Sequence, residues 1–347
     1  MSQAANPSSI THHPSPITIL VVRFRQLGDA VLTTVLLNTL RETFPEARID
    51  YVLDERIAPL FEHHPSIDNI ITFSREERHR TLHYLKKVWR IMHNTRYDII
   101  IDKRSTLNTT PFALFSLHTP IRVALEKPYT RWIYNYRVST VGFRPMVDHI
   151  LDHLKPLEKI KPITYTRSIS LGITRQEKDS FRDYLQQQGL DFQRPIALIG
   201  VTAKLAEKTW PKEQMTEVIR RMIEKYPQLQ LIFNYAPGKE EENARDIYQQ
   251  LGCPSAVFID VKAKSSRELA AMCDSITFYF GNEGGARHIV HAMGKPSLVV
   301  CSPHANPKVW IPVDDIKAVA IENSEATTDN VWQQLEKFIT HHPSPIT

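Results

Sequence analysis

The stretch Gly281-Asn282-Glu283-Gly284-Gly285-Ala286-Arg287-His288 has the residue types and spacing of a phosphate-holding turn. It follows the apolar run 276–280, leads into Ile289-Val290-His291-Ala292-Met293, and is closed by Gly294-Lys295-Pro296, so it reads as a strand-to-helix turn. Such a turn aims backbone N–H groups at one point and adds the positive end of a helix dipole. Gly284 and Gly285 carry no side chain that would hold a ligand away. The plainer reading is a tight connection with no ligand.

Further groups could complete the chemistry. Asp29 stands after the apolar run 17–24, where its carboxylate either satisfies the start of a helix or takes a proton from an attacking hydroxyl as a general base. Lys204 and Lys208 lie between the apolar run 195–201 and an amphipathic stretch, and lysines in such a loop suit a diphosphate as point charges, or else simply meet solvent. Glu240 and Glu241 follow Ala236-Pro237-Gly238-Lys239, where an acidic residue can bind ribose hydroxyls or merely favour the first turn of a helix. His288 and His291 are three apart, but no carboxylate or cysteine completes a metal set, and no metal is expected.

These residues need rigid elements to bring them together. Strands are expected at 17–24, 49–53, 70–73, 97–102 and 121–124, alternating with helices at 28–44, 81–94 and 111–117. After a polar, proline-containing stretch at 155–166 the alternation resumes. It gives a helix at 175–188, strands at 195–201, 229–234, 256–259, 276–280 and 297–301, and helices near 240–251, 266–273 and 285–293. Met215, Val218, Ile219, Met222, Ile223 and Tyr226 trace one stripe of the helix between the first two of these strands. The reading is an α/β protein of two Rossmann-like domains, 1–165 and 166–328, with the candidate residues at the carboxyl ends of the strands. A helix at 329–340 within the tail 329–347 is expected to cross back to the first domain. Thr-His-His-Pro-Ser-Pro-Ile-Thr occurs at 11–18 and again at 340–347, the second copy reading as a short polar tail.

Bulk properties narrow the function classes. At 347 residues and 42% hydrophobic, the chain can build two cores. No apolar stretch is long enough to cross a bilayer, and the opening residues lack the pattern of a secretion signal, so a cytoplasmic protein is expected. Cys253, Cys273 and Cys301 sit in apolar contexts without ligand spacing and read as reduced core thiols. The net charge of +5 is concentrated: Arg75, Arg78, Arg80, Lys86, Lys87, Arg90 and Arg96 crowd one segment. That segment is either a solvated helix face or a surface for anionic partners, and no nucleic-acid-binding motif accompanies it.

Ile19-Leu20-Val21-Val22-Arg23, Leu27-Gly28-Asp29-Ala30-Val31-Leu32-Thr33-Thr34, Phe44-Pro45 and Ile49-Asp50 resemble the opening of the family 9 glycosyltransferases, the bacterial lipopolysaccharide heptosyltransferases. Lys208-Thr209-Trp210-Pro211 resembles that family's Lys-x-Trp-Pro, and the stretch from Asn282 to His288 resembles its Asn-Asp-Ser/Thr-Gly-x-x-His. The resemblance implies a GT-B fold with its two domains facing each other across a cleft, a nucleotide-sugar donor held by the second domain, an acceptor held by the first, inversion at the anomeric carbon, and no metal or other cofactor. By position, Asp29 is the expected base. Thr202, Lys204, Lys208, Glu240 or Glu241, Asn282, Glu283, Gly284, Gly285 and His288 are the expected contacts of an ADP-linked donor. Arg25, Lys103 and Arg104 are the expected contacts of a phosphorylated glycolipid acceptor, which in turn implies a peripheral place at the inner face of an anionic membrane. Departures are Glu283 for the usual Asp, Gly284 for Ser or Thr, and Ser302-Pro303-His304-Ala305-Asn306-Pro307 for Gly-Pro-Thr-Asp-Pro. A nucleotide-sugar epimerase of the same fold, or a non-catalytic nucleotide-sugar binder, remain open beside the transferase.

Overall fold

The apolar runs become the strands of two parallel sheets in a computed structural model of the chain. The structure describes residues 16–24, 26–139, 144–303 and 305–340, Ala206 in its backbone alone. Arg25, His304, residues 11–15 of the first octapeptide copy and 341–347 of the second lie outside the described residues. Two compact units divide the chain, Met1–Gly172 and Ile173–Thr347.

The first unit contains β1 (Thr18–Val22), α1 (Leu27–Leu32), α2 (Thr34–Thr43), β2 (Arg48–Asp54), β3 (Asn69–Phe73), α3 (Arg75–His79), α4 (Thr81–Asn94), β4 (Ile99–Asp102), α5 (Thr110–Leu114), β5 (Ile121–Leu125), β6 (Tyr136–Val138) and α6 (Met146–Leu151). Its strands run in the order β3-β2-β1-β4-β5-β6. β1 is central, with Val21 opposite Tyr51 on one side and Ile101 on the other, and Ile19 to Val22 are wholly buried, as a strand covered on both faces must be. Tyr84, Val88 and Met92 recur every fourth residue on α4 and pack with Phe73 and Phe112. The expected helix 28–44 is broken at Thr33. Thr33 Oγ1 donates to Asp29 O and Thr34 Oγ1 to Val31 O, and this back-bonding competes with the helical ladder.

The second unit contains α7 (Arg175–Gln187), β7 (Ile196–Gly200), α8 (Lys212–Lys225), β8 (Gln230–Phe233), α9 (Lys239–Gln250), β9 (Val257–Phe258), α10 (Ser266–Cys273), β10 (Phe278–Asn282), α11 (Gly285–Ala292), β11 (Ser297–Val300), α12 (Pro307–Trp310), β12 (Ala318–Ile321) and α13 (Thr328–Thr340). The order β12-β11-β10-β7-β8-β9 is the same winding as in the first unit. Each sheet starts in its middle, grows to one edge, and returns to the other side of its first strand. The direction in which strands are added therefore reverses between β1 and β4, and again between β7 and β10, while all strands stay parallel, and the carboxyl ends at such switch points form the ligand crevice of open α/β sheets.

Several expectations need correction. The strands missed, β6 and β12, each form one edge of their sheet: short and partly exposed, they carry no long apolar run. The boundary falls at 172/173 rather than 165 because the segment after 160 is tied to α2. There Thr164 N donates to Thr43 Oγ1, Thr166 N to Thr39 Oγ1, and Asn38 Nδ2 to Ser168 O. α13 does not leave the second unit: Val331, Leu335, Phe338 and Ile339 join that unit's core beside Met215, Val218 and Met222. Cys253 is exposed, at φ 52 in the turn after α9, whereas Cys273 and Cys301 are buried thiols.

Candidate functional site

In the second unit the expected residues gather at the carboxyl ends of β7, β8 and β10. β7 and β10 approach closely because Gly281, at φ 147, faces Gly200, and a Cβ at 281 would stand 2.4 Å from Gly200 O. Asn282 locks the ends of these strands. Its Nδ2 donates to Gly200 O at 2.9 Å and its Oδ1 accepts from Trp210 N at 2.6 Å, while Tyr279 Oη donates to Asn282 O. Both ends of that buried amide are held by main chain, so Asn282 shapes the loop 201–211. Trp210 is buried with Nε1 donating to Ala326 O, and Thr209 Oγ1 accepts from Ala203 N. Lys204 and Lys208 are exposed on the loop so anchored, and no ion pair to either is seen among the described residues.

Gly284 and Gly285 are exposed at the start of α11. No side chain caps that start, which leaves the first-turn N–H groups to an anion. Gly284 is extended, and a Cβ there would meet nothing within 4 Å, so its conformation does not require glycine. Glu283 is half-buried beside Ser302, whose Oγ lies 3.4 Å from Glu283 Oε2. His288 is turned into the interior: its Nε2 meets Arg287 Nη2 at 3.3 Å, and burial with the neighbouring guanidinium holds it neutral, well below its ordinary range. Arg287 is itself fully buried, pushed down to about 10 by that burial. It donates to Trp310 O, and His291 Nε2 meets Asp314 Oδ2 at 2.7 Å, so α11 holds the segment after β11 by two polar links.

The paired acids separate. Glu240 Oε2 accepts from Thr202 Oγ1 at 3.0 Å, which places it at the end of β7 with the loop lysines. Glu241 points elsewhere, into an ion network with Arg245 and Lys262 that holds its carboxyl below the usual range. Of the two acids, Glu240 is therefore the one beside Thr202 at the end of β7. A cavity of about 610 Å³ between α7 and α10 is lined by Arg267, paired with Glu177, and by Lys262, paired with Glu241.

In the first unit, Asp29 is the third residue of α1 and its Oδ1 receives Arg23 Nη2 at 2.6 Å, both side chains nearly buried. Arg23 Nη1 donates in turn to Lys103 O, so the guanidinium spans the ends of β1 and β4 at the switch point. Arg23 was not among the expected site residues. A charge closing a β-branched run was the available signal, and it reads equally well as a strand end meeting solvent.

Lys103, expected to contact the acceptor, is buried. Its N–H continues the sheet ladder to Val22 O, which sends the side chain inward to His149 O and His153 Nδ1, each at 3.2 Å. Burial and the neighbouring Arg23 push its ammonium well below the ordinary lysine range. Arg104, its neighbour, takes another direction. It donates to Phe24 O and, with Arg56, Arg75, Arg78, His79, Thr106 and Asn108, lines a cavity of about 290 Å³. Asp54 binds both Arg56 and Arg78, whose hydrogen bonds hold its carboxyl down at about 2. Arg56 was missed because it lies away from the charged segment in sequence. Within that segment Lys87 is committed to Thr72 O and Glu77, so it is no part of a solvated basic face.

A profile of glycosyltransferase family 9 (heptosyltransferase) matches residues 85–339. Lipopolysaccharide heptosyltransferase 1 of Campylobacter coli is 19% identical over 294 residues, covering 81% of this chain and 83% of its own length. A family 9 glycosyl transferase of Veillonella parvula superposes with a TM-score of 0.79 at 20% identity, over 95% of this chain and 92% of its own. The Escherichia coli ADP-heptose lipopolysaccharide heptosyltransferase II superposes at 0.74 and 18%, over 94% and 100%. Two Rossmann-like units of the GT-B type, together with a profile match that runs from the middle of the first unit through nearly all of the second, make this chain a member of glycosyltransferase family 9, the heptosyltransferases.

Proposed function

We propose that this glycosyltransferase moves a heptose from an ADP-linked donor onto a lipopolysaccharide core or a related phosphorylated glycolipid, by a single inverting displacement that needs no metal. The observation that carries the reading is the Arg23–Asp29 pair at the switch point of the first sheet, in the unit that also holds the arginine-lined cavity. Names of relatives support the substrate class: a lipopolysaccharide heptosyltransferase and an ADP-heptose transferase.

Asp29, oriented by Arg23, takes the proton of the acceptor hydroxyl as its oxygen attacks the anomeric carbon. The bond to the diphosphate breaks on the opposite face, and its electrons stay with the departing ADP. Negative charge grows on that diphosphate, and Lys204, Lys208 and the uncapped N–H groups of α11 are the groups that stabilise it. Glu240 accepts from ribose hydroxyls, and the arginines around the cavity receive the anionic groups of the acceptor.

The test is a transfer assay with ADP-heptose and a delipidated phosphorylated core acceptor, in chelator, with product configuration read by NMR. Acceptor-dependent formation of the inverted glycoside supports the reading. Epimerised sugar or free heptose formed without acceptor would replace it with the epimerase alternative, and donor binding without turnover with the binder.

A further inference from the structure

We propose that the rim of the arginine-lined cavity in the first unit is a docking surface for an anionic lipid bilayer. Leu82, Leu107 and Trp132 are 86%, 78% and 79% exposed, an unusual amount of large apolar surface to leave in water. They are far apart in sequence but not in the fold. Tyr84 Oη, on the first turn of α4, donates to Asn108 O; Tyr129 Oη and Lys127 Nζ both donate to Ser105 O, at 2.6 and 2.7 Å. These bonds draw the start of α4, the loop 105–109 and the turn 127–132 to the carboxyl edge of the sheet. Thr106 and Asn108 line the cavity while Leu107, between them, stands out into solvent, so the apolar rim and the basic cavity share one loop.

Charge selects the occupant. Arg80 and Arg131 are exposed on or beside these segments and Arg75 on α3, which lines the cavity, against exposed Glu76 and Glu126. The Arg131 guanidinium lies 4.8 Å from the centre of the Trp132 ring, which gives one turn an aromatic body and a cationic head. Leucine and tryptophan flanked by arginine match the chemistry of an acidic membrane interface, where the ring sits at headgroup level and the cations meet lipid phosphates. Docked so, the cavity would open at the depth of a headgroup, the place to find the anionic portion of a lipid-anchored acceptor. That last step rests on the proposed function; the docking itself does not.

Vesicle sedimentation without donor or acceptor tests it. Wild type should bind phosphatidylcholine vesicles containing about 30% phosphatidylglycerol, far better than phosphatidylcholine alone, and weaken several-fold when salt is raised from about 0.1 M to about 0.5 M. Leu82→Ser/Leu107→Ser/Trp132→Ser should lower vesicle binding at least about tenfold with melting and ADP affinity unchanged, and Arg80→Gln/Arg131→Gln should remove most of the preference for acidic lipid. Wild type that ignores acidic vesicles, or a triple variant that binds them as well, overturns the proposal. So does a dimer, seen by light scattering, that the triple substitution dissolves, because the patch would then belong to a second copy. Transfer to a soluble acceptor without vesicle binding sinks the docking alone, and vesicle binding without transfer sinks the functional reading alone.

Discussion

Asp29 sits inside the first turn of α1, at the third helical position, while Gln26 occupies the cap and makes no side-chain cap bond. Its carboxylate is turned to Arg23. Asp29→Asn keeps the shape but removes the base, so turnover should fall by roughly 10² to 10⁴ while ADP affinity changes little. A variant within a few-fold of wild type, with chemistry rate-limiting, would leave Asp29 as a positioning group for α1. Lys208→Ala should weaken ADP binding by about 1.5 to 3 kcal/mol, the range for a hydrogen bond to a charged group. Because Lys208 is exposed, melting should not move, and unchanged binding by calorimetry would remove it from the site. The acids at 240 and 241 give a paired test: Glu240→Gln should weaken nucleotide binding, and Glu241→Gln, confined to its surface network, should not. If Glu241→Gln is the damaging change, the ribose contact has been assigned to the wrong side of α9.

Among the elements, the turn around Asn282 carries the sharpest stability consequence. Asn282→Ala would strand Trp210 N–H and Gly200 C=O in the interior, and each buried group without a partner costs about 1–3 kcal/mol. Urea unfolding of the second unit should shift accordingly, and ADP affinity should fall because the loop bearing Lys204 and Lys208 loses its anchor. A shift under about 0.5 kcal/mol, the range of an ordinary surface substitution, would mean water replaces the amide. Element positions were legible wherever burial on both faces left an apolar run, as at β1, β7 and β10, or a stripe, as on α4 and α8. β6 and β12 were not, being strands of three and four residues that are partly exposed and leave no long apolar run. Side-chain direction at loop ends was the least legible quantity. Lys103 and Arg104 are neighbours of similar charge, yet continuation of the ladder by one residue buries the first and delivers the second to a cavity. Likewise, nothing in a Glu-Glu pair says which member meets Thr202.

For the molecule as a whole, acid should be felt first through buried histidines. His64 is buried with Nε2 at Ser170 O and Nδ1 accepting from Ser66 N, and burial pushes it down from 6.5 to about 4. Between those values the unfolded chain binds a proton that the folded unit refuses. Its contribution to the first unit is therefore complete above pH 6.5 and is lost as pH falls toward 4, up to about 3 kcal/mol. Buried His153 in the same unit, also held down, adds in the same direction. Urea midpoints of the first unit between pH 7.5 and 4.5 should show this slope, shallower in His64→Gln; a flat profile would mean that His64 charges freely within the fold. The bond from Trp210 N to Asn282 Oδ1 joins positions 72 apart in the chain. During synthesis the loop that bears Lys204 and Lys208 has left the ribosome long before its clasp is made, so the nascent second unit cannot hold that loop in its final form until β10 has emerged and paired with β7.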